Sequence, residues 1–138
     1  MSYFETVKEL ILELEYDIVR EEVETGILII NKESRGICEM ILDCEDDILV
    51  MEQIIFPVKK DNPEHYKRLL QMNRSLVHGA FVLTNSEDFN IIAFRDTLQL
   101  ENLDQNELEA SLNALTFALV ENMDDLLTIS GQTEKTAS

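Results

Sequence analysis

The sequence predicts one antiparallel α+β domain, a β-sheet packed with helices in the order α-β-β-β(-β)-α-β-β-α. Apolar residues recur at helical spacing at both ends of the chain and in its middle. Between these segments lie apolar runs of strand length, separated by short turns. Short connections imply antiparallel neighbours, because parallel strands need long crossovers. We expect residues 1–130 to form this domain and residues 131–138 to be a flexible C-terminal tail.

The first helix begins at a capping sequence, Ser2-Tyr3-Phe4-Glu5. In such a sequence the Ser side chain accepts the amide three residues on, and the Glu side chain reaches back to the amide of the cap. Apolar residues then follow at intervals of three and four and form one stripe along the helix. The stripe consists of Phe4, Val7, Ile11 and Leu14, and Leu10 widens it.

The next part of the chain predicts a run of strands. The strand-length runs are residues 27–30, 38–44 and 48–57, with a weaker edge strand at 17–23. In the third run, the even-numbered Ile48 and Ile54 are expected on one face of the strand, whereas the odd-numbered Leu49 and Met51 are expected on the other. Antiparallel sheets with one face in water normally alternate apolar and polar residues. We therefore expect both faces of this sheet to be covered, by helices or by a partner.

A second helix and a second hairpin follow. Asp61-Asn62-Pro63 predicts the helix start, because Asn caps helices and Pro fits the first helical position. Residues 80–84 and 91–98 predict the two strands of the hairpin. The helix residues expected to face inward are Tyr66, Leu69, Leu70 and Asn73.

The last helix carries two stripes. It is predicted to begin after Asp104, which caps it, and to end at Gly131. A helix packed on one sheet needs only one apolar stripe. The second stripe is therefore a candidate dimer interface, with packing against the N-terminal helix as the alternative. The main stripe is Leu108, Leu112, Leu115, Leu119, Met123 and Leu126, and the second is Ala110, Ala114 and Phe117.

The net charge excludes two classes of partner. Eleven basic and 28 acidic side chains give a formal charge of −17. Nucleic-acid binding depends largely on Lys and Arg, and binding to an anionic membrane surface depends on basic clusters. We therefore expect no nucleic acid and no membrane as partner. The chain has no apolar run of the roughly 20 residues that span a membrane and no secretory signal, so we expect it in the cytoplasm.

The sequence contains no motif for catalysis or for a cofactor. None of the four glycines forms a G-x-G pair, and there is no H-E-x-x-H or G-x-S-x-G. Cys38 and Cys44 form no C-x-x-C and lie too far apart along one strand for a disulfide, so we expect two buried thiols. We therefore expect no enzyme, no catalytic residue, no cofactor and no metal.

Three polar residues, Asn73, His78 and Arg95, are candidates for contact with a partner or a ligand. His78 lies at the corner between helix and strand, close in sequence to Asn73. Arg95 would be a partly buried cation if its strand parity faces a helix. Structural hydrogen bonds and a structural ion pair are the ordinary roles for such residues. The alternative is a small-molecule-binding or enzymatic domain with a pocket around these three residues.

The run LLQMNRSLVHGAFVL at residues 69–83 resembles the helix-to-strand signature of YbjN-type proteins, bacterial domains similar in fold to type III secretion chaperones. The segment Phe94-Arg95-Asp96-Thr97-Leu98 and the Leu-rich last helix fit the same pattern, so the resemblance covers most of residues 1–130. It implies an α-β-β-β-α-β-β-α domain that is often dimeric and has no established catalytic residues. Secretion chaperones bind extended segments of client proteins.

These observations together predict a non-enzymatic, chaperone-like or regulatory module that acts as a homodimer and binds a protein partner. The acidic charge, the second stripe of the last helix, the doubly apolar strands and the resemblance all favour it. An acidic mimic of nucleic acid is a further hypothesis. It would need carboxylates spaced like phosphates, and the sequence does not show that spacing.

Overall fold

The computed structural model describes residues 2–131, which form a six-stranded antiparallel sheet and four α-helices. The predicted class is confirmed, as is the order of elements up to the last predicted helix, and the weak N-terminal strand is a full member of the sheet. The predicted tail lies outside the described residues from 132 onward. The helices are α1 (Tyr3–Glu13), α2 (Pro63–Arg74), α3 (Gln105–Glu121) and α4 (Met123–Ser130). The strands are β1 (Asp17–Glu22), β2 (Ile27–Lys32), β3 (Ile37–Glu45), β4 (Ile48–Pro57), β5 (Ala80–Asn85) and β6 (Asn90–Gln99).

The strand order in the sheet is β1-β2-β3-β4-β6-β5. Strands β1 to β4 follow one another in sequence, and every neighbouring pair in the sheet is antiparallel. The chain then crosses through α2 to the far edge, where β5 forms, and β6 returns between β5 and β4. Strands β1 and β5 are therefore the two edges of the sheet. No helix within residues 2–131 is both long and apolar enough to cross a bilayer.

The helices pack on one face of the sheet and share a single apolar core with it. Alternate residues of the central strands point into this core because successive strand side chains face opposite sides. The expectation that the last helix buries its main stripe is confirmed for its first three leucines. The largest fully buried residues are Ile11, Leu28, Ile30, Ile37, Met40, Leu42, Leu49, Met51, Ile92, Leu108, Leu112 and Leu115.

The helix starts are fixed by the predicted caps. The Ser2 hydroxyl accepts the Glu5 amide at 3.2 Å, and the Asn62 side chain accepts the Glu64 amide at 3.0 Å. At α3 a full capping box forms between Asp104 and its third helical residue, Glu107. Each cap satisfies backbone donors that have no partner within the helix.

The predicted single last helix is wrong, because the chain breaks it at Asn122. The Asn122 side chain donates to the Ala118 carbonyl at 2.9 Å, and its backbone carbonyl accepts the Leu126 amide and begins α4. Asn side chains compete in this way for backbone groups. Beyond the break Leu126 stays buried, whereas Met123 is exposed. The inward orientation predicted for Leu70 is also wrong, since this side chain is 70% exposed.

The expectation of two buried thiols is wrong for Cys38. Both Ile37 and Met40 are buried, so the alternation of strand β3 shifts by one residue between them. Within this irregularity Glu39 has φ 49°, and the Cys38 amide donates to the Gln53 side chain at 3.0 Å. The shift places Cys38 on the side of the sheet away from the core, where it is exposed.

Asn73 connects α2 to the edge strand β5. Its side-chain amide donates to the Phe81 carbonyl at 3.0 Å and accepts the Phe81 amide at 2.7 Å. At Phe81 the Asn73 side chain thus makes the two backbone hydrogen bonds that a neighbouring strand would make. The preceding turn requires Gly79, which has φ 74° and whose added Cβ would lie 2.5 Å from atoms of the Phe94 ring.

We predict that Asn73→Ala lowers the free energy of unfolding by about 2 kcal/mol, because two hydrogen bonds are lost and the Phe81 backbone groups are left without partners. Urea unfolding followed by circular dichroism measures this loss. The matched change Asn106→Ala, at an exposed position of α3, should stay within about 0.5 kcal/mol of the wild type. Equal effects of the two changes would show that Asn73 does not hold the edge.

Candidate functional site

The face of the sheet that carries no helix of the described chain is apolar, and we call it the open face. Its residues alternate along the strands with the buried core residues. Ile41, Ile48 and Ile54 are 39%, 42% and 60% exposed, which is unusual for isoleucine. The expectation that helices or a partner cover both faces is thus met by helices on one face only. The apolar residues of the open face are Ile27, Ile29, Ile41, Ile48, Val50, Ile54, Val82, Ile91 and Ala93.

The strand register brings these side chains into contact. Ile29 pairs with Ile41, and Ala93 pairs with Ile54 on one side and Val82 on the other. Residues directly opposite in antiparallel strands have Cβ atoms about 5 Å apart, so each row forms an apolar contact. Glu52 and Arg95, which are opposite each other in strands β4 and β6, continue the row that begins with Ile29 and Ile41. Ala93 is fully buried beneath its two larger neighbours although no helix of residues 2–131 lies on this side.

A shallow cleft lies in the open face. Its volume is about 860 Å³. Ile29, Ile41, Ile54 and Ile91 line it, together with Glu52, Leu119 of α3 and the exposed Cys38. The bulge in strand β3 is the reason that the Cys38 thiol lies in this cleft.

Charged side chains lie among the apolar residues of the open face. Asp43 and Glu45 alternate with the apolar residues of strand β3, and Arg95 is opposite Glu52 in the central strands. A hydrogen bond with Asp43, together with repulsion from its charge, raises the pKa of Glu45, and Arg95 partly offsets this rise. The open face therefore combines apolar patches with charged side chains.

A second cleft, which we call the α3 cleft, lies on the helical side. Its volume is about 440 Å³, and the turn between α2 and β5 forms one wall. The predicted dimer residues Ala110, Ala114 and Phe117 all line it. Phe117 is 63% exposed, and Val77, which the sequence analysis did not single out, is 91% exposed in the opposite wall.

The three candidate contact residues lie in different places. Asn73 is engaged with the Phe81 backbone, and His78 lines the α3 cleft. Arg95 is exposed on the open face, so its parity faces away from the helices. The structure therefore brings His78 to the predicted dimer residues. Asn73 and Arg95 line neither of the two clefts.

The buried polar side chains have structural partners. The Ser111 hydroxyl donates to the Asp96 carboxylate and joins α3 to strand β6. The Gln53 side chain donates to the Gly36 carbonyl at 3.0 Å and accepts the Cys38 amide. Among residues 2–131, no group of three His, Cys, Asp or Glu side chains is placed to hold a metal ion. These buried groups stabilise the packing of sheet and helices.

The sequence contains only an indirect signal for the open face. Strands apolar at both parities indicated two covered faces, but the pattern does not tell which face the helices take. The sequence contains no signal that Val77 lines the α3 cleft, because a single apolar residue in a turn is common on protein surfaces. The positions of Ala110, Ala114 and Phe117 could be found from helical spacing alone.

The chain matches the model of one known protein family. The family model CesT_Tir_1 matches residues 1–132, and the chain therefore belongs to this family. The resemblance to YbjN-type proteins and type III secretion chaperones is thus confirmed. A comparison with curated protein sequences finds no significant match.

Solved structures share the fold at low sequence identity. YbjN from E. coli is similar with a TM-score of 0.65 and 12% identity, over 88% of this chain and 91% of that one. The Yersinia pestis type III secretion chaperone SycH, solved with a fragment of YscM2, gives 0.57 and 18%, over 94% and 100%. The HopA1–SchA chaperone–effector complex gives 0.58 and 14%, over 84% and 90%.

We predict that Cys38 reacts with iodoacetamide at pH 8 much faster than Cys44. Burial, and then the charge of Asp43, raises the pKa of the Cys44 thiol to about 11. About one thousandth of Cys44 is then the reactive thiolate at pH 8, and this fraction grows about tenfold per pH unit below the pKa. Mass spectrometry of timed samples measures both rates. Equal rates in the folded protein would contradict the assigned environments, and Cys38→Ser is the control.

Proposed function

We propose that the chain is a non-enzymatic, chaperone-like module of the bacterial cytoplasm that acts as a homodimer and binds a segment of a protein partner. The observation that carries this proposal is the open face. Proteins in water rarely expose several large apolar side chains on one sheet face, and such surfaces mark binding sites. Exposed isoleucines at three of its positions supply the contact area.

The structural relatives support a protein as the occupant. SycH was solved with a fragment of YscM2, and SchA with the effector HopA1. By analogy of fold, we extend protein binding to this chain as part of the proposal. The residues of the open face suit this role, because apolar side chains of a bound segment can contact Ile29, Ile41 and Ile54, which line its cleft.

The charge of the chain favours one kind of segment. The net charge is −17, and Asp43, Glu45 and Glu52 lie within the open face beside its apolar residues. Basic residues beside the apolar side chains of the partner would be attracted to these carboxylates, and acidic ones would be repelled. The proposed partner segment is therefore apolar and basic.

The α3 cleft supports the homodimer. In an antiparallel pair of α3 helices related by a twofold axis midway between Asn113 and Ala114, residues at equal distances on either side of that midpoint meet. Phe117 and Ala110 lie at equal distances from it. The exposed ring of one copy then packs over the small Ala110 of the other. Such self-complementarity is what an isologous interface requires.

The geometry favours this function over a small-molecule or enzymatic site around Asn73, His78 and Arg95. Asn73 uses its amide on the Phe81 backbone, and the other two residues lie on opposite faces of the sheet. His78 instead belongs to the wall of the proposed dimer cleft. Its role in the proposal is contact with the second copy.

We predict that a photo-crosslinker attached to Cys38 forms discrete protein adducts in a lysate of the native cell, and that Ile54→Glu reduces them about thirtyfold. The introduced charge would be buried by a bound apolar segment, which costs about 2 kcal/mol or more. Gel analysis and mass spectrometry quantify the adducts. Ile54 is 60% exposed, so the variant should remain folded.

The matched control for this experiment is Leu12→Glu, on an exposed position of α1 that is 53% accessible. It adds the same charge away from the open face and should leave the adducts unchanged. Adducts that persist in Ile54→Glu, or that disappear equally in both variants, would refute binding at the open face.

We predict a mass of twice 15.9 kDa by light scattering, and a dimer dissociation constant about thirtyfold higher for Phe117→Asp. High salt should strengthen the wild-type dimer, because both copies are acidic. Leu70→Asp, on the exposed side of α2, is the control and should stay dimeric. A monomeric wild type, or dissociation by Leu70→Asp alone, would contradict an interface at α3.

A further inference from the structure

A third cleft lies between the connection from β4 to α2 and the end of α4. Its volume is about 480 Å³. Its apolar wall includes Phe56, Leu69, Ile92 and Ile129, and Lys59 and Lys60 lie at its rim. We call it the lysine cleft. It shares no lining residue with the open-face cleft or the α3 cleft, so it is a separate site.

Lys59 and Lys60 form none of the ion pairs found within residues 2–131. In that part of the chain the paired basic side chains are Lys8, Arg20 and Arg68. The nearest carboxylate in sequence, that of Asp61, accepts a hydrogen bond from the Tyr66 hydroxyl. Lys59 and Lys60 therefore line the cleft beside its apolar wall without an ion-pair partner among residues 2–131.

The backbone at this cleft is not arranged to bind phosphate. A phosphate site at a helix start uses free backbone N–H groups. At the start of α2 the Asn62 side chain accepts a hydrogen bond from the Glu64 amide. The Asn62 carbonyl accepts hydrogen bonds from the amides of His65 and Tyr66. A multiply charged anion would in addition be repelled by the net charge of −17. These features favour a ligand with a single negative charge.

We infer that the lysine cleft binds a small organic carboxylate with an aliphatic or aromatic body. The carboxylate pairs with Lys59 and Lys60, and the body packs against Phe56, Leu69 and Ile129. A volume of about 480 Å³ lies within the range of small-molecule sites, which combine an apolar lining with a few polar groups. This inference goes beyond the proposed protein binding and does not depend on it.

The test is a titration of the full-length protein with decanoate below its micelle concentration, followed by amide chemical shifts in ¹⁵N-labelled protein. We expect saturable shifts at residues 56–66 and near Ile129. Decanol has the same body without the charge, and acetate has the charge without the body. Both should bind at least about tenfold more weakly than decanoate, since each lacks one of the two contacts.

The double variant Lys59→Gln/Lys60→Gln should raise the dissociation constant for decanoate about tenfold. Its matched control, Lys67→Gln/Arg74→Gln, removes the same charge from exposed positions outside the cleft and should change the constant less than about twofold. Equal weakening by both variants, equal binding of decanol, shifts confined to the open face, or no saturable binding would each overturn the inference.

Discussion

The arrangement of the whole molecule depends on one constraint: a sheet apolar on both faces receives helices on one face only. The core side is satisfied by α1, α2, α3 and α4, which share one apolar cluster with alternate strand residues. The remaining strand residues have no such cover within residues 2–131, and Ile54 is the most exposed of them. Burying these exposed apolar side chains is favourable, and association with another molecule would bury them.

The two edges of the sheet make the open face, rather than strand addition, the favoured place for association. Strand β1 carries four charged residues among six, and its register shifts between Ile18 and Arg20. Charges and bulges protect edge strands from pairing with other chains. At the other edge the Asn73 side chain occupies the backbone groups of Phe81, so part of β5 is closed as well.

Sequence patterns predicted the local features and the order of elements, and they failed where an irregularity depends on distant residues. Caps such as Ser2 and Asn62 are local, and the structure confirms them. The exposure of Cys38 depends on a bulge held by Gln53, which is fifteen residues away. For the candidate site, helical spacing found Phe117, but the side on which the helices pack is a tertiary choice that strand periodicity does not contain.

The acidic charge and the open face fit together physically. An exposed apolar surface promotes aggregation, and a net charge of −17 opposes it by repulsion between molecules. The repulsion acts over about 10 Å at moderate salt, whereas apolar contacts act only at close approach. For a partner with basic residues the long-range electrostatic interaction becomes attractive, and the short-range apolar contact is retained. In the proposed function, the same charge that opposes aggregation therefore also selects which chains reach the open face.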